Sequence, residues 1–206
     1  MWKLFVAAGS CSLASHITLE EANADYDAVP VDLAGGQQRT PKFLALNPKG
    51  RVPILITERG ILTENPAILA FIAQSFPAAR LAPLDDAWAF ARVQAFNSFL
   101  CSTVHVAHAH GRRAARWADD PAAIAEMKRK APQVVAECFD LIEREMLAGP
   151  WVMGDAYSIC DPYLFAMSRW LEANAVNIDR LPKVKDHRQR MAQRPAVKTV
   201  LAALGE

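Results

Sequence analysis

A cysteine between two serines, Gly9-Ser10-Cys11-Ser12, follows the short apolar run Trp2 to Val6 and precedes a helical pattern. At a strand-to-helix junction, unpaired backbone N–H groups and the positive helix end favour an anion, so Cys11 is expected to have a lowered pKa and to serve as a thiolate. A small apolar side chain filling space beneath a turn reads the same way, and these four residues do not separate the two. A second polar set lies far along the chain. In the otherwise apolar run Val93 to Val106, Gln94, Ser98, Ser102 and His105 recur at steps of four, four and three, which places them on one helical face beside Cys101. That face is either solvated or one wall of a site. Arg112, Arg113, Arg116 and Trp117 follow it, with solvated surface as the default reading and a cationic rim suited to an anionic or aromatic small molecule as the other. His105, His108 and His110 are not expected to hold a metal, because only the first two share a face and no nearby carboxylate or cysteine completes a ligand set.

The chain must supply a scaffold for these residues. Its 206 residues suffice for one large domain or two small ones and can bury a core without disulfides. The four cysteines are scattered and lack a Cys-x-x-Cys pair, and Met1 to Val6 is too short for a secretory h-region, so a reducing cytoplasm is the expected home. A formal charge of +1 gives no electrostatic case for nucleic acid or an anionic membrane. No apolar run approaches the roughly 20 residues that span a bilayer. Small molecules, or a second copy of the chain, are the expected partners.

Two grammars divide the sequence. Residues 1–76 alternate short β-like and helix-like segments, giving β-α-β-α-β-β-α. The strands are Lys3 to Val6, the alternating Val29, Val31 and Leu33, Val52 to Ile56, and Ile61-Leu62 across a Glu58-Arg59-Gly60 turn. Helices are expected at Ser12 to Ala22, at Pro41 to Leu46, and from Asn65-Pro66, where Asn65 caps free amides and proline fits the first helical position. Residues 77–85 contain Pro77 and Pro83 and read as a linker. Residues 86–206 are helical almost throughout: one long helix from Asp86 to about His110, another from Asp120-Pro121 to Leu147, and later ones from about Pro162, Leu181 and Pro195. Ser158-Ile159-Cys160-Asp161 has the form of a capping box, assigned to folding rather than chemistry.

This order of segments resembles the cytosolic glutathione transferases over essentially the whole chain. The run Gly9 to Leu13, His16, Asn47-Pro48-Lys49-Gly50, Val52-Pro53, Leu62-Thr63-Glu64 and the box at Ser158 to Asp161 are similar to the bacterial beta class. The resemblance implies a thioredoxin-like first domain, an all-helical second one, glutathione as co-substrate and a homodimer. It implies a cis Pro53 that frees the backbone of Val52 for the cysteinyl part of glutathione, with Arg51 alongside. Glu64 then suits the γ-glutamyl ammonium and Asn65 the carboxylate. Ser102 and His105 close the site from the helical domain together with Ser98, where the family often has asparagine; Val106 replaces a common lysine.

The catalytic candidates are Cys11, Ser12 and His105, with Ser10 as a further donor to the glutathione sulfur. His16 either steers the thiolate or packs beneath the loop. Thiol–disulfide exchange through Cys11 is the expected better reaction, with weaker transfer to aromatic halides. Glutathione-dependent isomerisation, dehalogenation or ether cleavage through Ser10 or Ser12 competes with it, as does a non-enzymatic interaction module on the same fold.

Overall fold

The computed structural model describes all 206 residues. Four strands, β1 (Trp2–Val6), β2 (Tyr26–Pro30), β3 (Ile54–Thr57) and β4 (Gly60–Thr63), form one sheet in the order β2-β1-β3-β4. β1 runs parallel to β2 and antiparallel to β3, and β3 and β4 make a hairpin. The parallel pair needs a crossover, and α1 (Ser12–Glu21) supplies it. Leu4, Val6 and Leu55 face α1 and α3 (Asn65–Ser75), while Phe5, Ile54 and Ile56 face a smaller cluster around Phe43 of α2 (Pro41–Leu46).

The second strand lies earlier than the Val29, Val31, Leu33 alternation predicts. Pairing starts with Trp2 opposite Tyr26 and ends with Val6 opposite Pro30. Val31 continues the apolar pattern because it is buried against Ala7, Phe43 and Val52, whereas Asp32 turns the chain by accepting the Gly35 N–H at 2.8 Å. Leu33 therefore stands outside the strand and reaches the central cleft.

The helical half contains α4 (Ala87–Phe99), α5 (His105–Arg112), α6 (Pro121–Leu141), α7 (Cys160–Ser168), α8 (Pro182–Gln193) and α9 (Pro195–Leu204). α4 and α5 form the expected long helix, but a π-helical turn, Leu100–Val104, joins them. A second π turn, Ile142–Met146, ends α6, which runs through Pro132. One apolar core spans both halves, from Leu4 and Ile17 through Val93 and Phe165 to Val200. Glu21 on α1 and Arg194 before α9 tie the halves again through a two-point ion pair at 2.5 and 2.7 Å.

The box at the start of α7 differs from the expected reciprocal form. Ser158 Oγ accepts the Cys160 N–H rather than that of Asp161, and Asp161 is drawn wholly inside. Its carboxylate accepts the N–H groups of Val152 (2.8 Å) and Ser158 (2.7 Å) and pairs with His187 Nε2 at 3.0 Å. One buried acid thus pins a loop, a helix start and α8.

Candidate active site

A cleft of about 420 Å³ separates the strand ends of the sheet from the Leu100–Val104 π turn, α5 and α7. This is within the size range of small-molecule sites. From the first half it is lined by Ser10, Cys11, Gln38, Arg51, the Val52-Pro53 pair and Glu64; from the helical half by Cys101, His105, Arg113, Tyr163 and Trp170.

Cys11 stands at the end of the β1 turn, immediately before α1, as the sequence requires. Its electrostatics are the reverse of the expected ones. Burial, then the neighbouring Cys101, push the Cys11 thiol up to about 12, and Arg113 only partly offsets them. The helix-end field acts over the first turn and is worth about 1 kcal/mol or less at exposed sites, so desolvation prevails. Cys11 is a neutral thiol at physiological pH, and its Sγ lies 3.7 Å from the Val52 carbonyl oxygen, toward which it donates.

The Val52-Pro53 peptide bond is cis. No acceptor within the chain engages the Val52 N–H, which leaves a backbone donor beside the Cys11 sulfur. Glu64 has φ 75°, an unusual value for a residue other than glycine, and its carboxylate meets Lys49 Nζ at 2.6 Å. Such a backbone outlier at a cleft marks a place held in position by its surroundings.

Asn65 is buried and does not cap α3 with its side chain. Its Oδ1 accepts the Ser15 hydroxyl at 2.6 Å and its Nδ2 donates to the Cys11 carbonyl at 2.8 Å. Holding the cysteine turn uses one of the two Nδ2 hydrogens, and Asn65 also lines the cleft, so any contact with a ligand carboxylate falls to the second hydrogen. Ser12 lies outside the cleft lining. Fully buried, its Oγ bonds Ser10 Oγ (2.7 Å) and accepts the Ala7 N–H (3.0 Å), which makes it a clasp for the turn rather than a catalytic group. Ser10 does reach the cleft.

On the helical wall the single-face reading breaks apart. His105 lines the cleft, but Ser98 and Ser102 are exposed outside it, Ser102 Oγ donating to the Ser98 carbonyl at 2.8 Å. The π turn contains an extra residue, which rotates the side chains of α5 by roughly 100° relative to those of α4. Burial, and then Arg113, Arg51 and Arg116, bring the His105 pKa down to about 4, so the ring is neutral. It packs on Trp170, whose indole N–H donates to the Gly9 carbonyl at 3.1 Å. His16 is buried against Tyr26, with no partner at Nδ1, and belongs to packing beneath the loop.

Gly9 itself, at φ 63°, receives a second clamp: its N–H donates to the Glu206 carboxylate at 2.7 Å, and Arg169 pairs with that same carboxylate. Sequence reasoning missed Gln38, Tyr163 and Trp170. For Tyr163 a signal was present, since it lies two residues beyond Asp161, whose anchoring fixes the direction in which α7 leaves the box.

Known proteins place this architecture. The family model for the glutathione S-transferase N-terminal domain matches residues 2–74, and that for the C-terminal domain matches residues 104–195. The glutathione S-transferase GstA of Escherichia coli O157:H7 is 33% identical over 206 residues, 98% of each chain. A glutathione transferase homolog from Sulfitobacter, crystallised with bound glutathione, superposes with a TM-score of 0.95 at 40% identity, covering 98% of both chains. A bacterial beta class glutathione S-transferase of Sphingomonas chungbukensis gives 0.86 at 37% identity, again over 98% of both. With sequence and fold agreeing from end to end, this chain belongs to the glutathione S-transferase family.

Proposed function

We propose that this protein binds glutathione in the cleft and transfers it to an electrophile, with Cys11 acting as a neutral thiol that donates a hydrogen bond to the glutathione sulfur. The observation that carries this is the juxtaposition of a free Val52 N–H, at a cis Pro53, with the protonated Cys11 side chain. The Val52 backbone suits the cysteinyl residue of the tripeptide as an extended strand partner. Glu64 suits the γ-glutamyl ammonium, displacing Lys49, and Arg51 with Gln38 suits the glycyl carboxylate. His105 and Tyr163 close the opposite wall.

In the transfer step the glutathione thiol gives its proton to solvent, its sulfur adds to the electrophilic carbon to form the C–S bond, and the leaving group then departs with the pair of the bond it breaks. The Cys11 S–H stabilises the sulfur anion that precedes attack. The assembly proposed is a homodimer, for which the exposed Trp88 on α4, Ile61 on the edge strand β4, and the outward Ser98 and Ser102 form the contact face.

Transfer to a chlorodinitrobenzene, measured across neutral to alkaline pH, tests the role of Cys11. The Cys11→Ser variant, which keeps a donor, is expected to retain activity within a few-fold. Cys11→Ala is expected to lose about tenfold in kcat/KM and to shift the rising limb of the profile to higher pH. Equal profiles for all three proteins would defeat the donor role.

A second reading is favoured by one observation: Cys101 shares the cleft with Cys11. Thiol–disulfide exchange would then run through a Cys11–glutathione mixed disulfide that Cys101 resolves. Intact mass after exposure to glutathione disulfide at neutral pH separates the two, because a protonated Cys11 should remain unmodified. An adduct at Cys11, or a protein disulfide, would carry the exchange reading instead.

A further inference from the structure

Three arginines line the cleft, Arg51 from the sheet domain and Arg113 and Arg116 from the segment after α5, and none forms an ion pair with a carboxylate of the chain. Glu64, the one acid in the lining, is already matched by Lys49. Arg113, Arg51 and Arg39 all press on Arg116, whose pKa is lowered by burial and by these like charges. A same-sign cluster in a concave site raises the local concentration of anions and costs folding stability while nothing neutralises it.

Glutathione does not account for the whole of this charge. On the reading proposed above, its γ-glutamyl end lies at Glu64 and its glycyl carboxylate takes Arg51. Arg113 and Arg116 remain, on the opposite wall, next to Trp117. Trp117 stacks on His110 with centroids 4.3 Å apart and 25° between planes, and it is about half exposed, at 47%. Arg112, the sequence neighbour of Arg113, does not line the cleft, so the cluster is selected by the fold rather than by local composition.

We infer that the second substrate is an aromatic electrophile bearing an oxyanion, a carboxylate in the simplest case, received by Arg113 and Arg116 with its ring against Trp117. The guanidinium fork suits a planar carboxylate. This rests on the glutathione-transfer reading and assigns the half of the cleft that glutathione leaves.

The test compares a chlorodinitrobenzoate with its own methyl ester, each rate divided by its spontaneous reaction with glutathione in the same buffer. The expected result is a kcat/KM preference of about tenfold or more for the carboxylate, weakened by salt and abolished in an Arg113→Ala, Arg116→Ala double variant whose KM for glutathione changes less than about twofold. An ester used as well as the acid, or a preference that survives the double variant, overturns the inference.

Calorimetric titration of unreactive dinitrobenzoate and its ester into the glutathione-loaded protein gives a readout independent of turnover. Carboxylate binding lost in the double variant, with neither halide converted, defeats the transfer reading while supporting the anion site. Equal binding of acid and ester defeats the anion site itself.

Discussion

Cys11 illustrates how a local motif and its surroundings can pull a side chain in opposite directions. The turn before α1 offers a favourable field for an anion, yet the half-buried Cys11 loses hydration within the cleft, which the Cys101 thiol also lines. A thiol kept protonated is a donor, and that property fits it to act on another molecule's sulfur rather than to attack on its own. The clasp that holds it is equally specific. Asn65→Ala removes both the acceptor for Ser15 and one of two donors to the Cys11 carbonyl, leaving the buried Ser15 hydroxyl unpaired while the carbonyl keeps the Ala14 N–H. The expected cost is about 1–3 kcal/mol in a urea titration, with a raised KM for glutathione as the cysteine turn loosens. The sequence located Asn65 at the helix start but not its direction, because capping outward and bridging inward need the same small polar amide.

At the level of elements, the anchoring of α7 and the π turn between α4 and α5 decide what reaches the cleft. Asp161→Ala strips the partner from the Val152 and Ser158 amides and from His187, all in a site with no access for water, and is expected to destabilise the fold by roughly 3–5 kcal/mol. Asp161→Asn, which retains an acceptor, should recover part of that loss; thermal melting of the two variants measures the difference. Here the sequence was nearly sufficient, since Ser158 and Asp161 stood out as a cap and the other two partners, Val152 and His187, were invisible to local spacing. The long helix was less legible. Its start and approximate length follow from Asp86 and the apolar period, but a π turn has no compositional signature in Leu100–Val104, so counting by fours put Ser98, Ser102 and His105 on a common face. Arg113, Arg116 and Trp117 went the other way, from surface by default to cleft lining by fold.

For the molecule as a whole, the shared core means that sheet and helices should unfold together, giving one denaturation transition by fluorescence and by circular dichroism. Acid should act on that transition through histidines. Burial holds His16 and His108 near pKa 4, against an ordinary value of 6.5. The folded chain therefore refuses protons that the unfolded chain accepts, so stability is intact above about pH 6.5 and declines as pH falls toward 4. A loss on the order of 1 kcal/mol for each histidine by about pH 5 is expected, read as a falling urea midpoint. Replacing His108, which stands behind the cleft lining and packs edge-on against Trp170, by Gln or Asn should flatten that slope.

The strap from Glu206 to Gly9 has a practical corollary for anyone who purifies or immobilises this enzyme. A fusion tag appended after Glu206 would tug on the backbone one residue from Ser10, within two of Cys11. One placed ahead of the solvent-facing Met1 would leave that loop alone. Differing specific activities between the two tagged forms would be the imprint of that tether.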